Sequence, residues 1–296
     1  MLRKVMLKKA AAFLLVFGFI LSSFNLLSAA AASATTTLTD SPAEVVVAYP
    51  DGTVIQKGNL TITRVGVPST SYTAFAQNGI FSFNLPDGTY KVSSVSDYNT
   101  AQIIPFYTSF TVAAGSPQPY ILQLPPKIEG SIITADGADV PHGRLYMTGT
   151  DGITTKSYVT QARNGKLTMY LPDGTYTAGY LDEWNSMWAV TLYSSFTVTG
   201  GQVEQPPLVI TVPLQYTGTV TKSGAPLSSA VLYFQSTDDS SIIYEGRVRN
   251  GKLNVFLLNG NYQIYKVVDM TTSQEYNVNL NVTVANGVGP LTISIP

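Results

Sequence analysis

Few side chains in this sequence are equipped for chemistry, and most of them stand in one segment. Tyr180-Leu-Asp-Glu-Trp-Asn-Ser-Met-Trp188 holds both tryptophans of the chain, together with Asp182, Glu183 and Asn185. Flat aromatic rings such as Tyr180, Trp184 and Trp188 stack on the apolar faces of sugar rings, and carboxylates and amides beside them bond hydroxyls. That chemistry is ligand binding. The competing reading is that the tryptophans cap the open end of a core, since Trp is highly buried on average. Both readings stay open at this point.

Catalytic constellations are scarcer. The chain has one histidine, His142, and no cysteine, which removes Cys–His pairs and multi-histidine metal sites. A Ser-His-Asp triad would need His142, in Val140-Pro-His-Gly143, which reads as a solvated turn residue. No nucleophile elbow, phosphate loop or dinucleotide fingerprint occurs. The acid pairs Asp182-Glu183 and Asp238-Asp239 remain. Neighbours on a strand point to opposite faces and cannot flank one glycosidic bond, so both pairs read as solvated loop charges. Asp97, Glu183 and Asp269 recur at equal spacing, each opening a long loop. Each is expected to bond its own backbone amides, because a lone carboxylate is a poor calcium site. No catalytic residue, cofactor or metal ligand is expected, and the chain reads as a non-enzyme.

The elements that hold these residues come from a repeat. Asn-Gly pairs stand at Asn78-Gly79, Asn164-Gly165 and Asn250-Gly251, 86 residues apart. The same spacing relates Tyr90, Tyr176 and Tyr262, and then Val112, Val198 and Val284. Asn-Gly is the strongest short-range signal for a two-residue hairpin. Phe81, Phe83 and Leu85 alternate with polar neighbours, as do Leu167, Met169 and Leu171 and then Leu253, Val255 and Leu257; a period of two marks half-buried strands. Leu-Pro-Asp-Gly-Thr-Tyr follows, with Gly88 and Gly174 expected to supply positive φ in a tight turn. The tyrosine after it is expected to be buried with its hydroxyl on nearby backbone, as in a tyrosine corner. Each copy reads as about seven short strands forming a β-sandwich.

Strand, hairpin, strand and L-P-D-G-T-Y together resemble the prealbumin-like sandwiches. That group includes carboxypeptidase regulatory-like domains and the Cna B-like repeats of Gram-positive surface adhesins. The resemblance spans all three copies and implies spacer, stalk or accessory modules. Such adhesin repeats often carry a Lys–Asn isopeptide bond promoted by an acid shortly after the tyrosine corner. Here Lys-Val-Ser-Ser-Val follows Tyr90 and Thr-Ala-Gly-Tyr-Leu follows Tyr176. No such bond is expected, so an intact mass should lack the loss of about 17–18 Da that each would cause.

The expected organisation is all-β: a signal peptide over 1–34, then Ig-like, prealbumin-like sandwiches over 35–125, 126–213 and 214–296. The leader reading rests on basic Arg3, Lys4, Lys8 and Lys9, an apolar run Ala10 to Leu21, and Ala32-Ser33-Ala34. Ser22, Ser23 and Asn25 interrupt the run before membrane-spanning length. No membrane anchor is expected after cleavage, nor a cell-wall sorting signal at the C-terminus. Removing the four positive charges takes the net charge from −1 to −5, which leaves no basic field for nucleic acid. The Pro-rich joints Leu124-Pro-Pro-Lys127 and Val212-Pro-Leu214 separate the copies. The function expected is a secreted, Gram-positive-like structural or interaction protein. It would act as spacer or adhesion element, with a cell-envelope or extracellular glycan or protein as partner. Self-association through strands such as Asn277–Thr283 is a further expectation, and the alternative is a carbohydrate-binding module using the aromatic segment.

Overall fold

The computed structural model describes residues 40–66, 70–116, 118–184, 188–285 and 289–295, with only the backbone of Trp188. The expected leader lies outside the described residues. Within them the regular elements are strands in three sheets.

The first sheet holds β1 (Ser41–Ala48), β2 (Gly58–Arg64), β3 (Ser71–Gln77), β4 (Ile80–Leu85), β5 (Gly88–Asp97), β6 (Gln102–Val112) and β7 (Tyr120–Gln123). The second holds β8 (Lys127–Thr134), β9 (His142–Thr150), β10 (Thr155–Arg163), β11 (Lys166–Tyr170), β12 (Gly174–Glu183), β13 (Trp188–Thr191), β14 (Ser195–Thr199), β15 (Gln202–Val203) and β16 (Leu208–Val212). The third holds β17 (Leu214–Lys222), β18 (Ala225–Pro226), β19 (Ser229–Ser236), β20 (Ile243–Arg249), β21 (Lys252–Leu257), β22 (Gly260–Asp269), β23 (Gln274–Val284) and β24 (Leu291–Ile295). The first order is β6-β5-β2-β3-β4-β1-β7; the others repeat it as β14-β12-β9-β10-β11-β8-β16 and β23-β22-β19-β20-β21-β17-β24.

One strand per repeat turns this order into a sandwich. β3 pairs with β2 from Ser71 to Phe75, but with β4 only through Ala76 and Gln77. β6-β5-β2 and β4-β1-β7 thus face each other as two layers joined at β3. Leu60, Ile62 and Tyr90 meet Val45, Phe81 and Leu85 between them, all fully buried. Each sheet has its own such cluster.

Local chemistry sets the register. Asn78, Asn164 and Asn250 have φ of 53°, 48° and 50°, and the following glycines 84°, 71° and 74°. These are the paired positive values of a type I′ turn. The expected tight turn at Leu-Pro-Asp-Gly does not form. Gly88 and Gly174 do take the expected positive φ, as does Gly260, but at 156°, 156° and 159° the backbone is nearly extended, far from the roughly +80° of a type II turn. Each glycine already begins the next strand, because the chain is crossing from one layer to the other. The aspartate of this segment fastens a neighbouring turn instead. Asp173 accepts the N–H groups of Gly200 and Gly201 at 2.9 and 3.0 Å.

The tyrosine corner forms three times. Tyr90, Tyr176 and Tyr262 donate to the carbonyls of Pro86, Pro172 and Leu258 at 2.6, 2.7 and 2.9 Å. Burial pushes the Tyr262 hydroxyl up to about 12, and it raises those of Tyr90 and Tyr176 also. A second tyrosine stands edge-on to each: Tyr72 at 5.9 Å, Tyr158 at 5.2 Å and Tyr244 at 5.9 Å.

Successive repeats meet through one recurring contact. The β5–β6 pairing slips between Val92 and Ser94, opposite Phe106 and Tyr107. Alternation along β6 buries Phe106 with Ile104 and Phe110 and turns Tyr107 outward. The Tyr107 hydroxyl donates to the Ser157 carbonyl, and its ring stands edge-on to Tyr158 at 5.5 Å. In the next repeat, Tyr193 lies between β13 and β14. Its hydroxyl donates to the Ile243 carbonyl at 2.5 Å and accepts the Ile243 N–H at 3.2 Å. Its ring stands edge-on to Tyr244 at 5.3 Å. Tyr170 packs against the first buried cluster and Phe256 against the second.

Replacing Tyr176 by Phe removes one corner bond and no packing. The expected loss is about 1 kcal/mol, read as a lower urea midpoint with unchanged slope. Tyr98→Phe, at an exposed position, should leave the midpoint where it was.

Candidate functional site

Tyr180 to Glu183 lie within β12 and Trp188 opens β13, where the sequence reads a long loop. β12 and β13 pair up to Glu183↔Trp188. The β5–β6 and β22–β23 hairpins close in the same way, at Asp97↔Gln102 and Asp269↔Gln274. Asp97, Glu183 and Asp269 therefore end strands. Asp97 accepts the Tyr49 hydroxyl at 2.6 Å, the Asn99 N–H at 2.9 Å and the Thr100 hydroxyl at 2.9 Å. Asp269 accepts the N–H groups of Thr271 and Thr272 at 2.8 and 3.3 Å. Both carboxylates are occupied in closing their hairpins. The Tyr49 hydroxyl is raised well above its ordinary value, by burial first and by Asp97 second.

Strand alternation splits the predicted residues between faces. Tyr180 and Asp182 lie opposite Tyr146 and Arg144 in the β12–β9 pairing, on the outer surface. Glu183 follows Asp182 on the strand and takes the other side, opposite Gly143. Trp184 leads into the turn and is 45% exposed. Asn185 and the Trp188 side chain lie outside the described residues.

Three residues that sequence reasoning does not mark as binding candidates complete the outer face. Tyr146 stacks on Tyr180 with ring centroids 4.3 Å apart and planes 12° from parallel. Burial, then Tyr146 and Asp182, raises the Tyr180 hydroxyl above its ordinary value. His142 lies parallel to Trp184 at 6.5 Å, and the Arg144 guanidinium sits 5.6 Å from the Trp184 ring centre. His142 is the first residue of β9, not a turn residue. The alternation Arg144-Leu-Tyr146-Met puts these side chains opposite the core, but the β9–β12 pairing joins positions more than 30 residues apart.

The result is a row of aromatic rings flanked by one cation and one carboxylate. It can stack on a flat ligand and bond its polar rim. It does not offer paired acids across a bond, since Asp182 and Glu183 face opposite ways. Asp239 accepts the N–H and hydroxyl of Ser241 at 2.9 and 2.7 Å, which makes it a turn cap. Among the described residues, no group of three His, Asp or Glu side chains is placed to hold a metal ion. A cavity of about 50 Å³ lies beside Ile103, Arg144 and Tyr158. Larger open grooves, of about 540 Å³ beside Tyr193 and Tyr244 and about 830 Å³ beside Arg247 and Lys252, are lined by neither Tyr180 nor Trp184.

The other copies lack this surface. In the first, Thr61 and Thr73 share a hydrogen bond at 2.9 Å, and Ser94 and Ser96 stand where Tyr180 and Asp182 do. In the third, Lys266 lies 4.4 Å from the Tyr233 ring centre and Val268 follows.

No family model matches the chain, and no curated protein matches it. Solved structures give low-scoring likenesses. The streptococcal ancillary pilin is 11% identical at a TM-score of 0.23, over 86% of this chain and 99% of that one. BcpA, the major pilin subunit of Bacillus cereus, is 8% identical at 0.23, over 86% and 98%. The Bacillus anthracis TIE protein is 12% identical at 0.23, and the match covers 87% of this chain but half of that one. Scores this low leave the fold to be argued from strand order and register.

The site geometry has an optical test. In a Trp188→Phe chain, the remaining tryptophan should emit toward the red and be quenched readily by acrylamide. Blue emission resistant to quencher would place Trp184 in a core.

Proposed function

We propose that this chain is an exported, non-catalytic structural and interaction protein. A leader over 1–34 precedes sandwich modules over 35–125, 126–213 and 214–296, which act as a spacer or adhesion element at the cell surface or in the extracellular matrix. The observation that carries this reading is the repeated junction. Tyr107 and Tyr193 make the same two contacts, to a strand-edge carbonyl and to a tyrosine ring, at both joints. A spacer must resist bending where its modules meet. Joints of Leu124-Pro-Pro126 and Pro213 alone would restrict φ, and the tyrosines add a fixed contact beside each.

Small-angle scattering tests this. Tyr107→Ala with Tyr193→Ala should broaden the distribution of interatomic distances and raise the maximum dimension's spread, without loss of strand signal in circular dichroism. An unchanged profile would show that the junctions do not set module geometry.

A second reading is favoured by one observation, the Tyr146–Tyr180–Trp184 row found on the second repeat alone. In this reading that face binds an extracellular or cell-envelope glycan. Tyr180→Ala with Trp184→Ala should weaken retention on insoluble cell-wall or plant polysaccharide at least tenfold, equivalent to about 1.4 kcal/mol. Equal retention by the variant and the parent would remove this reading and leave the first intact.

A further inference from the structure

The junction is heterologous: one face of a repeat donates, and a different face of the next accepts. The donor is the bulged tyrosine, Tyr107 or Tyr193. The acceptor is the start of one strand with an aromatic at the end of the next, Ser157, Tyr158 and Tyr170 on β10 and β11 in one case and Ile243, Tyr244 and Phe256 on β20 and β21 in the other. β10 pairs with β11 only at Ala162 and Arg163, so its first half keeps a bare edge. In the second junction Tyr193 bonds both the carbonyl and the N–H of Ile243 on such an edge. A bare edge is a template for pairing with another chain, and here the preceding repeat covers it.

A heterologous contact that does not close generates open filaments. Among the described residues, one acceptor face, on the first repeat, and one donor face, on the third, are not joined to another repeat. The acceptor of the first repeat is Ser71, Tyr72 and position 84. β3 is bare there, since it meets β4 only at Ala76 and Gln77, and no tyrosine from another repeat reaches it among the described residues. Tyr72 keeps the edge-on contact to its corner tyrosine. Position 84, however, is Asn84, exposed, where the inner acceptors have Tyr170 and Phe256. The donor of the third repeat is position 279, again in a bulge, between Ile264↔Leu280 and Lys266↔Asn277. It is Asn279 instead of tyrosine, and the Gln263 side chain donates to it at 2.6 Å.

We infer that Asn84 and Asn279 are end caps: they stop the donor face of one copy of this chain from filling the acceptor face of a second copy. The two substitutions fall on the two faces of one kind of junction. Asn279 stands in place of the tyrosine that bonds the strand edge, and Asn84 in place of an aromatic that packs back on the preceding repeat, as Tyr170 does on Tyr49 at 5.3 Å. Each replaces an aromatic ring by a short amide that water can satisfy, as the end units of stacked-repeat proteins carry polar outer faces. The occupant excluded is a second copy of the same chain, because the acceptor geometry fits the tyrosine bulge that its inner repeats already use.

This inference rests on the spacer reading, and the experiment separates the two. Light scattering on a sizing column should show the parent as a monomer to high concentration. Asn84→Tyr with Asn279→Tyr should add copies head to tail, with a mass that rises with concentration, and Asn279→Phe in place of the tyrosine should weaken that growth at least tenfold by removing the hydroxyl. A folded double variant that stays monomeric overturns the inference, as does a parent that already forms chains through these faces. Should the double variant fail to fold, the reverse exchange decides. Tyr193→Asn with Phe256→Asn puts the cap pair into an inner junction, and proteolysis near Pro213 should then rise at least tenfold. Unchanged cleavage overturns the cap reading. A parent cut near Pro213 as fast as that variant would instead defeat the spacer reading.

Discussion

A bare strand edge is the constraint on which this structure turns. To fold one ordered series of strands into two layers, the third strand must leave one layer and join the other. It therefore pairs on one side along its length and on the other side only at its end, as β10 does with β9 and β11. The exposed half presents carbonyl and N–H groups that must be satisfied or left to water. Tyr193 on Ile243 is the answer at one such edge and Tyr107 on Ser157 at another. The layer change that makes the sandwich thereby also makes the surface on which the next repeat is fastened.

The same constraint explains what kind of residue the junction uses. A tyrosine brings an apolar ring to pack edge-on against Tyr158 or Tyr244 and a hydroxyl that can bond the strand edge. Neither an aliphatic residue nor a charged one does both. Alternation supplies the direction. Along β6, Ile104, Phe106, Phe110 and Val112 turn to the core, so Tyr107 points away from it. The slip at Val92/Ser94 changes the inward parity of β5, from Tyr90 and Val92 to Val95 and Asp97, and leaves that of β6 intact.

What can be read from the sequence follows the range of the interaction concerned. Asn78-Gly79 and its two counterparts are legible because a type I′ turn depends on the backbone freedom of two adjacent residues. The corner tyrosines are legible because hydroxyl and acceptor are four residues apart. Leu-Pro-Asp-Gly reads as a tight turn and is not one, since its conformation is set by the crossing between layers, which the tetrapeptide does not encode. The residues after Tyr180 read as a long loop because Asn, Ser and Asp are common in loops, whereas pairing with β13 keeps Leu181, Asp182 and Glu183 in a strand. Tyr146 goes unmarked for the same reason at greater distance: only the β9–β12 register brings it onto Tyr180. Tyr107 and Tyr193 stand in the 86-residue register and alternation turns them outward, but the strand-edge carbonyls they reach are 50 residues away, so nothing local marks them as junction residues.

Comparison of the three copies then separates scaffold from use. Positions that set the fold hardly vary: the hairpin asparagine and glycine, the corner tyrosine, and the tyrosine edge-on to it recur in all three. Positions that vary do so where the surroundings differ. Asn84 and Asn279 replace aromatics at the two faces that meet no neighbouring repeat among the described residues. Tyr180, Asp182 and Trp184 replace Ser94, Ser96 and Tyr98 on a sheet surface that faces outward in every copy, so packing does not require the change. The first kind of departure follows from position in the series. The second does not follow from position in the series. Tyr146 stacks on Tyr180, and the Arg144 guanidinium lies over Trp184. Pairs of this kind add roughly 0.2–1 kcal/mol each to a sheet, and the first repeat folds with Thr61 and Ser94 in the same places. The middle repeat thus supplies both junctions, through Ser157 and Tyr193, and on its outward face it departs from its neighbours.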